Sequence, residues 1–173
     1  MASNRHLGRI VILQSLFEHD FRNEVDPSYD LNEVITRNIA QYEKSLDDTE
    51  FVEEVIKSVI KKQKELDDIL GPLAPEWPVD QIARIDKLIL RIALYELRFG
   101  KNAPPKVIIN EAVELAKEFG GDNSSKFVNG VLGSAYREMD EGADAQIKEK
   151  RKEIKEDSPE KKEIKPKVKA AKK

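Results

Sequence analysis

Apolar residues recur at the spacing of an α-helix along most of the chain, and this pattern predicts six or seven helices. The first helix carries its predicted apolar stripe on Leu7, Ile10, Val11, Phe17 and Phe21. No segment shows the alternation of apolar and polar residues that is typical of a half-buried strand. The sequence therefore predicts an all-α fold.

Two further helices are predicted in the N-terminal half. The second begins at Asp30, which forms a capping-box-like start with Glu33. The third and longer helix runs from about residue 48 to residue 70 and stops at Gly71–Pro72, since glycine accepts the left-handed cap and proline cannot continue the helix. Three of its lysines share one face, where a solvated flank is favoured over an RNA contact: Lys57, Lys61 and Lys64.

A proline-rich elbow at residues 71–80 separates an N-terminal helical group, about 4–70, from a C-terminal group, about 78–140. Its Trp77 is predicted to pack against the base of the next helix. From Ile82 to Phe99 apolar residues occupy nearly every direction around the helix axis, which predicts a central helix. Glu96 lies within that helix, where a buried carboxylate needs a partner, so a structural role is predicted for it.

Glycine and proline residues mark the start, the end and the interior of the last two predicted helices. Pro104–Pro105 opens one helix and Gly120–Gly121 closes it. Gly130 and Gly133 lie inside the final helix, where they indicate a close approach of another helix. In the charged tail, residues 141–173, a helix is predicted to extend to about Glu156, with disorder beyond it.

The net charge of −3 conceals an asymmetry. Residues 1–140 hold 18 Lys and Arg against 25 Asp and Glu, a balance of −7, whereas residues 141–173 hold 12 against 8, a balance of +4. An acidic body binds nucleic acid only through a local cationic patch or a basic partner. Arg5 and Arg9 are predicted to form such a patch, since they stand four apart opposite the apolar stripe and project together into solvent. Gln14 is predicted to be a core or interface amide.

No combination of residues indicates catalysis. The chain has no cysteine, so it has no disulfide, no thiolate metal site and no cysteine nucleophile. Its two histidines, His6 and His19, stand thirteen apart and by spacing alone share no metal. We therefore expect no enzymatic activity, no metal and no cofactor. No apolar run of about 18 residues indicates a membrane span, and a cytoplasmic location is expected.

Three ordered motifs resemble signatures of the NusB family: residues 90–97 (LRIALYEL), 109–117 (INEAVELAK) and 126–132 (KFVNGVL). Residues 5–9 (RHLGR) and 14–17 (QSLF) are similar to the Arg-rich opening of the family and its Gln-x-Leu-Tyr element, with Phe in place of Tyr. The resemblance covers roughly residues 4–139. It implies a NusB-like fold of two small helical bundles and an RNA-binding adaptor of transcription antitermination.

The resemblance also implies partners and site residues. Family members pair with NusE, a small-subunit ribosomal protein, to recognise single-stranded boxA RNA in nascent transcripts, notably ribosomal RNA leaders, and thereby act on the RNA polymerase elongation complex indirectly. The implied RNA-binding residues are Arg5, Arg9, Asn123, Ser124, Lys126 and Phe127. The implied contacts to NusE are Asp80, Asp86 and Phe17. Arginine can bind phosphate bidentately and phenylalanine can stack on an unpaired base, although Phe127 fits the core equally well.

Two alternatives remain open at this point. The chain could be a protein-only scaffold, such as a homodimer that buries the face of Arg5. It could also be an accessory module of ribosomal RNA modification, since NusB-like domains occur attached to RNA cytosine methyltransferases. The missing catalytic cysteine and the missing nucleotide-binding segment argue against the second alternative. The tail is expected to add weak, salt-sensitive attraction to RNA.

Overall fold

The computed structural model describes residues 2–100 and 102–156, with side chains from residue 5 to residue 152 apart from residue 101. Within these residues the chain forms seven α-helices, one short 3-10 helix and no strand, which confirms the all-α prediction. The helices are α1 (Ala2–Val25), α2 (Leu31–Ala40), α3 (Thr49–Lys61), α4 (Gln63–Leu73), α5 (Arg84–Arg98), α6 (Pro105–Phe119) and α7 (Ser124–Glu156), with the 3-10 helix at Val79–Gln81.

The starts of three helices follow from local sequence chemistry. The side chain of Asp30 accepts a hydrogen bond from the amide of Asn32, and that of Asp48 accepts one from the amide of Phe51 at 3.0 Å. Both carboxylates therefore satisfy amides that have no partner within the first turn. Pro105 opens α6, where its missing N–H costs nothing.

The predicted single helix from about residue 48 to residue 70 is wrong. The chain forms two helices there, because Lys62 has φ −98° and ψ 12° and interrupts the helical path between α3 and α4. The predicted stop at Gly71–Pro72 is also wrong, since α4 continues through Pro72 to Leu73. Proline in the last turn removes only one amide donor, and the end of the helix tolerates this loss.

Helix α5 is the centre of the fold, as its apolar circumference predicts. Every residue from Leu88 to Leu97 is buried, and α5 contacts α1, α3, α4 and α6. Arg91 in this helix is also buried, and it forms two hydrogen bonds to the carboxylate of Asp67 on α4 at 2.8 and 2.9 Å. The central helix is therefore held to its neighbours by apolar packing and by paired charges.

The predicted buried face of α1 is right for Val11, which is fully buried, and wrong for its other four residues. Leu7, Ile10 and Phe17 are only partly buried and Phe21 is exposed. The buried residues of α1 are Gly8, Arg9, Val11, Ile12, Leu13, Ser15 and Leu16. Helix α1 contacts α2, α3 and α5 at once, so it buries a broad face that includes polar side chains with partners elsewhere in the chain. Gln14, predicted to be a core or interface amide, is exposed.

The chain divides into two compact units, Met1–Tyr136 and Arg137–Lys173. In the first unit Val128, Val131, Leu132 and Ala135 bury the apolar side of α7. The close approach predicted at Gly130 is wrong, because a Cβ added there would meet nothing within 4 Å. Helix α7 is described through Glu156, the residue to which the sequence predicts a helical extension, and the predicted disorder beyond it lies outside the described residues.

Candidate functional site

A cleft of about 720 Å³ lies between the start of α5 and the turn that joins α6 to α7. The residues that line it come from the proline-rich elbow and the segment between it and α5, from the first turn of α5, and from the α6–α7 turn and the beginning of α7: Trp77, Gln81, Ile82, Ala83, Asp86, Gly121, Asp122, Asn123, Ser124, Lys126 and Phe127. The cleft therefore brings together five of the residues that the sequence predicts for RNA or protein contacts, namely Asp86, Asn123, Ser124, Lys126 and Phe127.

The turn between α6 and α7 holds one wall of the cleft in place. The Oγ atom of Ser124 accepts a hydrogen bond from the amide of Gly121 at 2.9 Å. A Cβ at Gly120 would lie 2.4 Å from the Cβ of Ser124 and 2.6 Å from the carbonyl oxygen of Ala116, so only glycine fits there. Ser124 is buried and thus holds the turn, and its predicted contact to RNA stays a prediction.

Polar and aromatic side chains lie open on this wall. Asn123 and Lys126 are exposed, and Phe127 is only partly buried although it lines the cleft. Trp77 was predicted to pack against the next helix, but its side chain is 54% exposed and lines the same cleft. Sequence analysis missed Trp77 as a candidate binding residue. Its position in an exposed proline-rich elbow was the available signal, because a large aromatic side chain has little to pack against there.

Asp86 forms the acidic floor of the cleft. Its side chain is 8% exposed, and its Oδ1 atom accepts no hydrogen bond from the residues that the structure describes. A buried carboxylate oxygen without a donor is unfavourable, so a cation or a donor supplied by a binding partner would stabilise it. Asp80 lies in the 3-10 helix, where it is exposed and does not line the cleft.

A second exposed patch adjoins the start of α5. The rings of Phe17 and Phe21 on α1 have centroids 5.0 Å apart. The guanidinium of Arg84 lies 4.3 Å from the centroid of the Phe21 ring and donates a hydrogen bond to Glu24 at 2.8 Å. Phe17 does not line the cleft, but this chain of contacts connects it to the first turn of α5, which also carries Asp86.

Arg9 does not join Arg5 in solvent, and the prediction of an exposed Arg5–Arg9 cluster that contacts RNA phosphate is wrong for Arg9. Its side chain is 2% exposed and forms a bidentate pair with Glu96, with Nε and Nη2 at 2.9 and 2.7 Å from the two carboxylate oxygens. Position 9 lies on the broad buried face of α1, so its guanidinium enters the core. Glu96 is 4% exposed, and its predicted structural role is confirmed by this pair.

Arg5 remains at the surface. It is exposed, and its Nη1 atom donates a hydrogen bond to the carbonyl oxygen of Asn102 in the loop between α5 and α6. This contact orients the side chain without using all five donors of the guanidinium.

His6 joins the start of α1 to α6. Its Nδ1 atom lies 2.6 Å from Glu111 and its Nε2 atom 3.2 Å from Glu118. Burial lowers the pKa of His6, but the hydrogen bonds and negative charges of Glu111 and Glu118 outweigh burial and raise this pKa above its ordinary value. Sequence analysis missed this contact, since the partners are more than a hundred residues away. The two glutamates stand seven apart on one face of α6, which was the only signal.

Lysines of α3 and α4 form ion pairs with carboxylates of their own helix. Lys57 forms an ion pair with Glu53 at 2.6 Å, and Lys64 forms one with Asp68 at 3.3 Å. These pairs support the solvated flank that was favoured for this face. Among the residues that the structure describes, no group of histidine, aspartate and glutamate is arranged to hold a metal ion. None of the described helices is long and apolar enough to cross a membrane.

The comparisons with known proteins agree on one family. The family model described as "NusB family" matches residues 6–137. The transcription antitermination protein NusB of Chloroflexus aggregans is 46% identical over 136 residues, covering 78% of this chain and 87% of that protein. That of Roseiflexus castenholzii is 43% identical over 147 residues, covering 82% of this chain and all of that protein.

Solved structures show the same fold. NusB of T. maritima superposes with a TM-score of 0.65 at 31% identity, covering 75% of this chain and 87% of that chain. A structure of the antitermination factors NusB and NusE in complex with dsRNA superposes with a TM-score of 0.67 at 23% identity, covering 79% of this chain and 98% of that chain. The named function of the relatives is not enzymatic, so the comparisons confirm that the chain is not an enzyme. The chain belongs to the NusB family of transcription antitermination factors.

Proposed function

We propose that this protein is an RNA-binding antitermination adaptor. It pairs with NusE, recognises boxA-type single-stranded RNA in nascent transcripts, notably ribosomal RNA leaders, and promotes read-through by RNA polymerase. The observation that carries the proposal is the cleft, which is lined by Trp77, Phe127, Asn123 and Lys126 and by the buried carboxylate of Asp86, whose Oδ1 atom has no hydrogen-bond partner among the described residues. The names of the relatives and the NusB–NusE–RNA structure of a distant neighbour support it.

The RNA edge in this proposal consists of Arg5, Asn123, Lys126 and Phe127. Arg5 and Lys126 bind phosphate, Phe127 stacks on an unpaired base and the Asn123 amide binds a base edge or a sugar. Ser124 contributes by holding the turn. The contact of His6 with Glu118 supports one continuous edge, because it joins the start of α1 to the last turn of α6, five residues before Asn123.

The protein partner binds at the start of α5. Asp86 and Asp80 fit cationic side chains of a basic ribosomal protein, and Phe17 offers apolar area beside Phe21 and Arg84. An incoming guanidinium or ammonium would supply the donor that Oδ1 of Asp86 lacks. The body of the protein is acidic, so complementary charge would also speed the encounter.

RNA binding is tested by titrating boxA-type RNA and a scrambled RNA of equal length, with and without NusE. We expect boxA-type RNA to bind more tightly when NusE is present. Arg5→Ala should lower its affinity about 10-fold, since hydrogen bonds to charged groups contribute about 1.5–3 kcal/mol. Arg22→Ala is the matched control, because Arg22 is an exposed arginine of the same helix that already pairs with Glu18. Equal binding of both RNAs in both conditions would reject the proposal.

Partner binding is tested with Asp86→Asn, which keeps the shape of the side chain and removes its charge. We expect the affinity for NusE to fall by about 2 kcal/mol or more, roughly 30-fold, since a buried cation in the complex loses its partner. Asp68→Asn, at an exposed position on α4, is the control. An unchanged affinity would remove Asp86 from the interface.

One observation favours a protein-only scaffold as the competing function. Phe17 is partly buried, and Phe21 and Val25 on the same helix are exposed, which is unusual for a surface without a partner. Gel filtration with light scattering, run with and without RNA, separates the two functions. A dimer whose stability is indifferent to RNA, together with an absence of boxA preference, would favour the scaffold.

A further inference from the structure

His6 follows the proposed phosphate contact Arg5 in the chain and holds the start of α1 against α6. Its Nδ1 atom lies 2.6 Å from Oε2 of Glu111, and its Nε2 atom lies 3.2 Å from Oε2 of Glu118. The side chain of Glu111 is 19% exposed and that of Glu118 is 48% exposed. Both nitrogens of one imidazole ring therefore face carboxylates.

This geometry distinguishes the two protonation states of the ring. An imidazolium carries an N–H on each nitrogen and donates to both glutamates, whereas a neutral imidazole has one N–H and turns a lone pair toward the other carboxylate. Both contacts are therefore satisfied together only when His6 is protonated. Burial lowers the pKa of His6, but the hydrogen bonds and charges of Glu111 and Glu118 raise it above its ordinary value of 6.5.

The other charged side chains on the elements next to His6 pair with one another. Arg9 of α1 pairs with Glu96 of α5 at 2.7 Å, and Glu114 of α6 pairs with Lys117 at 3.2 Å. The charge of the cluster formed by His6 and its two glutamates therefore depends on the proton of His6. This charge is −1 when the ring is protonated and −2 when it is neutral.

We propose that His6 is a positioning residue for RNA binding: its imidazolium holds the start of α1 on α6 and partly neutralises the carboxylates beside the phosphate path, so RNA binds more tightly when His6 is protonated. The inference rests on the proposed RNA-binding function. Arg5 lies one residue before His6, and Glu118 lies five residues before Asn123, so the cluster connects the two parts of the proposed RNA edge. A phosphate that meets Arg5 passes near these carboxylates, and their negative charge opposes its binding.

Proton binding and RNA binding are linked in this arrangement, since a phosphate stabilises a nearby imidazolium. The affinity for RNA is highest below the pKa of His6 in the free protein. It falls as pH rises through the pKa values of the free and the RNA-bound protein, and it is constant above both. One unit charge about 8 Å from a phosphate, at an effective dielectric constant of about 40, corresponds to an affinity change of about 5-fold.

The test is the affinity of the full-length chain for boxA-type RNA in the presence of NusE, measured from about pH 5.5 to about pH 8.5. The wild type is compared with His6→Gln, which has no titratable charge, and with His6→Arg, which has a permanent one. We expect the affinity of the wild type to fall about 5-fold over this range. His6→Gln should bind weakly at every pH, and His6→Arg should bind tightly at every pH.

His19→Gln is the matched control, because His19 is the other histidine of the chain, lies on the same helix and contacts Tyr29. It should retain the pH dependence of the wild type. An NMR titration of the histidine rings, with isotope label only in this protein, gives an independent readout on the wild-type chain. The pKa of His6 should rise when boxA-type RNA binds, and that of His19 should stay unchanged.

The role of His6 is rejected if the wild type and folded His6→Gln show parallel pH profiles, or if RNA leaves the pKa of His6 unchanged. The NMR titration decides the matter if a variant unfolds, which circular dichroism at each pH detects. The role is also rejected if binding of NusE without RNA shows the same pH dependence, since His6 would then act on the protein partner. Failure of the proposed function is distinct, because it would remove the preference for boxA-type RNA from the wild type at every pH.

Discussion

The buried pair of Arg9 and Glu96 gives the sharpest test of how this fold is held together. The two side chains are 2% and 4% exposed and form two hydrogen bonds of 2.9 and 2.7 Å. Arg9→Met leaves the carboxylate of Glu96 buried without a cation, and Glu96→Gln leaves the guanidinium with a neutral partner. Removing one member of such a pair costs about 3–5 kcal/mol.

Thermal and urea unfolding measure this loss. For a unit of this size, about 1 kcal/mol corresponds to about 3 °C in Tm, so Arg9→Met should lower Tm by about 10–15 °C. The double variant Arg9→Met/Glu96→Leu removes both charges and keeps apolar volume at the contact. We expect it to recover most of the lost stability, because replacing both members of a buried pair by apolar groups is often neutral.

The same variants separate structure from RNA contact. If Arg9 only holds α1 to α5, the recovered double variant binds boxA-type RNA as the wild type does. A loss below about 1 kcal/mol in Arg9→Met would contradict the energetic reasoning, since it would mean that the Glu96 carboxylate finds water or another donor. A stable double variant that no longer binds RNA would contradict the assignment of Arg9 to the core.

Three further outcomes are expected. Gly120→Ala should destabilise the protein by about 1–3 kcal/mol, because the added Cβ collides with the α6–α7 turn. Gly130→Ala lies on an open helix surface and should stabilise the protein by up to about 1 kcal/mol. Chemical denaturation measures both free energies of unfolding, and equal effects of the two variants would contradict the geometry. Because the pKa of His6 is raised in the folded protein, His6 stabilises the fold fully below its unfolded pKa of about 6.5, and this stabilisation is lost as pH rises through the folded pKa. His6→Gln should therefore flatten the dependence of the unfolding free energy on pH between these two pKa values. An unchanged pH dependence would refute the link between α1 and α6. Asp48→Ala should cost about 1 kcal/mol in thermal unfolding, since the amide of Phe51 loses its cap, and a neutral result would show that water replaces the carboxylate.

The helices with uniform apolar character were predictable from the sequence. Helix α5 has apolar residues all round, and every residue from Leu88 to Leu97 is buried. Helix α7 has a narrow apolar stripe in its first turns, and Val128 and Leu132 are fully buried there. In both cases the apolar pattern identifies the buried segment, and in α5 the buried Arg91 and Glu96 have partners on other helices.

Helix α1 shows why the remainder was not predictable. Its buried face includes Arg9 and Ser15, whose partners are Glu96 on α5 and Asn38 on α2, the latter at 3.1 Å. Periodicity assigns charged and polar residues to solvent and cannot identify partners that lie tens of residues away. Helical periodicity therefore assigned Leu7 and Phe17 to the buried face of α1, and both side chains are only partly buried.

The candidate site was predictable only in its parts. Motif resemblance identified Asp86 and the 123–127 segment, but nothing in their spacing indicated that they face one cleft. That Asp86 carries an unpartnered buried oxygen depends on how α5 meets the proline-rich elbow, and so does the exposure of Trp77. Such features arise from packing between segments and have no local signature in the sequence.

The fluorescence of Trp77 tests the central claim most directly, because it is the only tryptophan of the chain and it lines the cleft. The full-length protein is titrated with boxA-type RNA and with scrambled RNA in the presence of NusE, and the spectrum of NusE alone is subtracted. We predict a saturable change in Trp77 emission with boxA-type RNA, at the concentrations where an independent assay detects binding, and a weaker change with scrambled RNA. Binding of NusE and RNA that leaves the emission of Trp77 unchanged would contradict the claim that the cleft is the binding site.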